Sequence, residues 1–71
     1  MRLMQAYSAL VEFPELKGEN RQMEFRIVRA SSMVAATRQV VHRAYQDVRI
    51  RSRRPSEMVV TMKYKAGVRL D

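Results

Sequence analysis

Residues 22–46 read QMEFRIVRASSMVAATRQVVHRAYQ, and a change of rhythm inside them decides the fold. Up to residue 29 the side chains alternate. Met23, Phe25 and Ile27 share one face, and Glu24, Arg26 and Val28 share the other. That is the period of a half-buried strand. Ala30-Ser31-Ser32 breaks the alternation. Ser31 or Ser32 supplies an N-cap, because a serine hydroxyl accepts a hydrogen bond from an otherwise unpaired amide of the first helical turn. From 33 to 46 the spacing is helical. Met33, Val34, Ala36, Thr37, Val40, Val41, Ala44 and Tyr45 fall within roughly half of the helix circumference, leaving Arg38, Gln39, His42, Arg43 and Gln46 to water.

Upstream, residues 7–13 alternate in the same way. Tyr7, Ala9, Val11 and Phe13 face one side, Ser8, Leu10 and Glu12 the other, and the strand can begin as early as Leu3. Pro14 ends it, since proline has no N–H for a ladder. Residues 14–21 form a polar turn in which Gly18 or Asn20 can take positive φ. So short a link predicts an antiparallel hairpin. Downstream, Asp47 reads as the helix exit. Residues 48–53 return to period two, with Val48, Ile50 and Ser52 against Arg49, Arg51 and Arg53. Arg54-Pro55-Ser56-Glu57 is a turn. A long strand at 58–65 sets Met58, Val60, Met62 and Tyr64 against Val59, Thr61, Lys63 and Lys65. Ala66-Gly67 turns the chain into a short edge strand at 68–70. The expected fold is α+β: a two-layer ββαββ sandwich, with one helix on a mainly antiparallel sheet of four to five strands.

One domain of 71 residues is expected, with a thin core. No apolar run approaches the roughly 20 residues that cross a bilayer, and no secretory signal opens the chain, so a cytoplasmic protein is expected. The absence of cysteine excludes disulfides and thiolate metal sites. No phosphate-binding glycine loop, dinucleotide motif or zinc-protease motif occurs. His42 is the sole histidine and has no partner suggested by spacing. A non-enzymatic protein without cofactor or metal is therefore expected.

Charge is the informative feature. The formal net charge is +7, and residues 25–71 hold eleven of the fourteen basic residues against three acids. If Val48, Ile50, Met58, Val60 and Met62 face the helix, then Arg49, Arg51, Arg53, Lys63 and Lys65 share the open face of a hairpin, with Arg54 at its turn. Like charges opposed across strands destabilise a sheet. Such a face suits a negatively charged partner, and clustering on one face is the electrostatic footprint of phosphate binding. The plain alternative is a solvated outer face. Arg38 and Arg43 on the outer helix face offer a second contact surface. Tyr7, Phe13, Phe25 and Tyr64 track the core-facing register, so they read as packing residues and the partner contact as phosphate contact without base stacking. Met23, Met33, Met58 and Met62 also follow the apolar registers.

Ala30-Ser31 with Ala35 at the helix start, and Tyr64-Lys65 followed by Gly67, resemble small phage-encoded proteins of the type I-F anti-CRISPR kind over residues 22–70. The resemblance implies a non-catalytic inhibitor that docks on a host complex such as a CRISPR surveillance complex and blocks it by protein–protein contact. The residues themselves imply a small basic protein that contacts nucleic acid, or a nucleic-acid-handling protein surface, in the cytoplasm. A homodimer joined through an edge strand is also expected, since the core is small.

Overall fold

The computed structural model describes the backbone of residues 2–70 and the side chains of residues 4–65. Its elements are β1 (Arg2–Glu12), a 3-10 turn (Gly18–Arg21), β2 (Gln22–Ala30), α1 (Met33–Gln46), α2 (Val48–Arg51) and β3 (Val59–Leu70). The strands form one antiparallel sheet in the order β2-β1-β3, and α1 packs on one face of it. The expected hairpin is β1–β2, and the central strand is the first in sequence.

The inner face of β1 is the floor of the core. Tyr7, Ala9 and Val11 are buried there, and Phe13 follows just beyond the strand. The Phe13 amide donates to the Arg21 carbonyl at 2.7 Å, which closes the hairpin connection, and Gly18 takes φ +66 within it. The cap of α1 is Ser32, whose Oγ accepts from the Ala35 amide at 3.1 Å. Only Ala36, Val40 and Ala44 of this helix are fully buried. The apolar arc expected from spacing is thus cut to a narrow stripe. Val41 is half-buried, and Met33, Val34 and Tyr45 are exposed. The alanines let the helix settle close to the sheet, and a sheet of three strands is too narrow to reach the flanks of the arc.

Three expectations are corrected. Residues 48–53 form no strand: Val48–Arg51 is a helical turn. The Asp47 carboxylate accepts from the Arg49 amide at 2.9 Å, so Asp47 caps a second helix as well as ending the first. The helical turn drives Ile50 into the core at 1% exposure and leaves Val48 outside at 73%. Residues 68–70 are not a separate strand either. Pairing runs unbroken in sequence from Glu12↔Val59 to Arg2↔Leu70, with Lys65 as an extra, bulged residue between Tyr7↔Tyr64 and Ala6↔Ala66. The turn signal of Ala66-Gly67 yields to the length of β1, which offers a partner for every residue of β3. The described sheet therefore has three strands, not four or five.

The third correction concerns β2. Tyr7 pairs with Val28 but Ala9 pairs with Phe25, so Ser8 faces two residues, Arg26 and Ile27. This bulge reverses the faces beyond it. Val28 and Ala30 turn inward, both 1% exposed, and Ile27 turns out at 57%. Tyr64 also departs from the expected buried position: it is half exposed, its ring edge-on to Tyr7 at 5.7 Å.

The bulge makes a sharp prediction about adjacent residues. Val28→Ala should cost about 2 kcal/mol in chemical denaturation, whereas Ile27→Ala should cost under about 0.5 kcal/mol. An unbulged strand would reverse that order.

Candidate nucleic-acid interface

The basic residues occupy two separate places rather than one hairpin face. Arg49, Arg51, Arg53 and Arg54 lie on α2 and its exit, and all are exposed. Lys63 and Lys65 lie on β3, facing away from α1. Arg38 and Arg43 stay on the solvent side of α1, with His42 exposed beside them. The single patch expected from period two is therefore not formed, because residues 48–53 are not a strand.

Within the α2 cluster, two of the four arginines already have structural work. The Arg49 guanidinium grips the Asp47 carboxylate with Nε on Oδ1 and Nη2 on Oδ2, both at 3.0 Å. This two-pronged contact is the geometry in which arginine binds carboxylate best. Hydrogen bonding from the Arg49 side chain, aided by its amide and charge, holds the Asp47 carboxyl below its ordinary value, and the same contact raises Arg49. Arg53 donates from Nη1 to the Arg49 carbonyl at 2.8 Å, which satisfies a carbonyl at the end of the helical turn. Arg51 and Arg54 have no hydrogen-bond or ion-pair partner from their side chains among the described residues. Arg54 adopts φ 46, the left-handed region, where its amide still donates to the Ile50 carbonyl at 2.9 Å. A side chain there carries a steric cost that glycine would not.

The open face of the sheet gathers the second group. Arg26 of β2 and Lys63 of β3 flank Ser8 of β1, and these three line a shallow groove with Glu24 and Lys65. Arg29 pairs with Ala6 on the same face, one row further along. Among the described residues the one acid lining this groove is Glu24, whose contact with Arg26 is long, 3.8 Å, and exposed on both sides. Such a pair contributes little. Arg26 was outward-facing by alternation alone. Arg29 reaches this face only because the β2 bulge reverses the register. Among the described residues no three His, Asp or Glu side chains converge to hold a metal ion, and no helix is long and apolar enough to cross a membrane.

One more exposed carboxylate fixes the neighbouring loop. Glu15 accepts from the Ser56 hydroxyl at 2.7 Å and the Ser56 amide at 2.8 Å, tying the β1–β2 connection to the segment entering β3. The Ser56 hydroxyl is the main cause that holds the Glu15 carboxyl below its ordinary value. Carboxyls with depressed folded values add stability that is complete above about pH 5 and fades as the pH falls through those values. The parent protein should lose melting temperature on acidification to about pH 3. The Glu15→Gln/Asp47→Asn double variant should melt lower at neutral pH and lose less between the two conditions. Parallel acid limbs for the two proteins would contradict these contacts.

Comparison of the chain with family models, with characterised proteins and with solved structures finds no match to any of them, so its geometry and charge are what a functional reading rests on.

Proposed function

We propose that this protein is a non-catalytic module that binds the phosphate backbone of nucleic acid through the open face of its sheet. The observation that carries the reading is the group Arg26, Arg29, Lys63 and Lys65 around Ser8 on the face opposite α1. The face is uncovered, and packing does not require cations on it. Arg26 and Lys63 stand on either side of the central strand, about 10 Å apart by sheet spacing. Counterion release on phosphate neutralisation favours binding to such a face without any base contact. Phe13 and Phe25 belong to the core side, and Tyr64 is the one aromatic at the groove, half exposed with its ring edge-on to Tyr7, so a multi-ring stacking platform is not part of this reading. The expected mode is therefore sequence-independent phosphate contact, with Arg51 and Arg54 supplying a second basic contact.

Fluorescence anisotropy with labelled single-stranded RNA, single-stranded DNA and duplex DNA tests this reading at several salt concentrations. Affinity should fall steeply with salt. Lys63→Gln/Lys65→Gln should reduce the log–log slope by about two, roughly one for each lost contact. Arg49→Gln should leave the slope unchanged, because Asp47 already occupies that guanidinium. Arg38→Gln/Arg43→Gln serves as the control on the helix side. Binding that is absent at low salt, or that the β3 double variant leaves unaltered, would overturn the proposal. Salt-insensitive capture of a protein complex after nuclease treatment would instead favour docking on a protein surface.

A further inference from the structure

The sheet has two edges, and they are built differently. β2 is blunted by its bulge at Arg26 and Ile27, and the Gln39 side-chain amide occupies the Arg29 carbonyl at 3.1 Å. β3 has no such protection over its first half. From Val59 to Tyr64 its pairing with β1 is regular, so its other edge presents a straight row of unpaired backbone groups. The layer above is also asymmetric. The Gln39 contact anchors one flank of α1 over β2. Val41, Val34 and Tyr45 lie on the other flank, Val41 being about 200° around the helix from Gln39. Beneath that flank, Met58, Val60 and Met62 of the β3 side are half-buried, as are Met23 and Phe25 of β2, and full burial on the β2 side is reached only at Val28 and Ala30, nearer the Gln39 contact. An apolar margin and an open strand edge therefore coincide.

We infer that this margin is a homodimer interface, in which β3 pairs antiparallel with β3 of a second copy about a two-fold axis at Thr61. Charge selects both the occupant and the register. The outward row of β3 is Val59, Thr61, Lys63 and Lys65. An axis at Thr61 sets Thr61 against its own copy, Lys63 against Val59, and Lys65 against Glu57 in both directions. Glu57 is exposed, and its carboxylate has no ion-pair partner among the described residues. On the inner face the same axis matches Val60 with Met62 and Met58 with Tyr64. An axis at Lys63 would oppose lysine to lysine. An axis at Met62 would leave Lys65 against Val59 with no anion. An axis at Val60 would bring Lys65 onto Pro55, which lacks an amide for the ladder. The bulge at Lys65 ends the pairing, which therefore spans residues 57–65. The dimer is a continuous six-stranded sheet, with the Val34, Val41 and Tyr45 flanks of two helices meeting over the new seam. This inference does not rest on nucleic-acid binding, although its Lys65–Glu57 pairs draw on a cation of the same open face, so the association is measured in the absence of nucleic acid.

Sedimentation equilibrium of the full chain should find a species of about twice the 8.3 kDa chain mass. Lys65→Glu and Glu57→Lys should each weaken dimerisation about tenfold, since each reverses two symmetry-related cross-strand pairs. Combining them should restore it. The chain has no cysteine, so Thr61→Cys gives a single thiol at the axis. Mild oxidation should link Thr61→Cys chains rapidly and Lys63→Cys chains slowly. A monomer at every concentration would overturn the inference. So would a dimer whose Thr61→Cys chains cross-link no faster than its Lys63→Cys chains, or one in which the charge swap fails to restore association.

Discussion

One strand with neighbours on both sides holds this small protein together. β1 pairs with β2 and β3 along nearly its whole length, and its inner side chains, Tyr7, Ala9 and Val11, are the floor on which everything else packs. The contact above that floor is narrow. Ala36, Val40 and Ala44 form the only fully buried stripe of α1. Small residues allow a close approach, but the area they remove from water is modest. The deeply buried bulk comes instead from Tyr7, Phe13, Ile50, Val11, Val28 and Val40. Ile50 closes one end, and it does so from a helical turn whose start depends on the Asp47 carboxylate. The capping contact and the core are thus parts of one arrangement, although the cap itself is at the surface.

Alternation and the β2 bulge together translate that scaffold into a charge pattern. In β2, the extra residue opposite Ser8 turns Val28 and Ala30 inward and sends Arg29 to the open face. In β3, the extra residue is Lys65, which lies on the open face with Lys63. Each bulge disturbs the ladder locally, a cost that regular pairing would avoid. The β2 bulge adds Arg29 to the uncovered side, where alternation already sets Arg26, Lys63 and Lys65, and it keeps Val28 and Ala30 on the apolar helix side. The molecule is also long for its size, with extents of 42 × 17 × 16 Å, because β1 and β3 continue as a two-stranded ribbon past the end of β2. A two-stranded ribbon is marginal alone, so the protein's stability is expected to concentrate where all three strands meet the helix.

Much of this was legible in the residues. The alternation around Val11 and Phe25, the serine before Met33 and the helical spacing of Ala36, Val40 and Ala44 each depend on local rules, and the helix on an antiparallel sheet follows from them. The segment at 48–53 was not legible, because Val-Arg-Ile-Arg satisfies period two and also fits a single helical turn. The deciding group was Asp47, which can end one helix and cap the next. The faces of Ile27, Val28 and Arg29 were hidden for another reason. A bulge is a property of two strands in register, and neither strand carries it alone. The same is true of Ala66-Gly67, a sound local turn signal that pairing with β1 overrides. The candidate site inherited these errors: Lys63 and Lys65 were placed correctly on an outward face, the arginines of α2 were not beside them, and Arg29 was missed.

Chemical-shift mapping tests most directly the proposed contact between nucleic acid and the open face of the sheet. Titrating a short oligonucleotide into the isotopically labelled protein at low salt should shift the backbone amides of Ser8, Arg26, Arg29, Thr61, Lys63 and Lys65 together, with smaller shifts at Arg51 and Arg54. The amides of Ala36, Val40 and Ala44 should stay in place. Shifts confined to α1, or a spectrum unchanged by the oligonucleotide, would contradict the account.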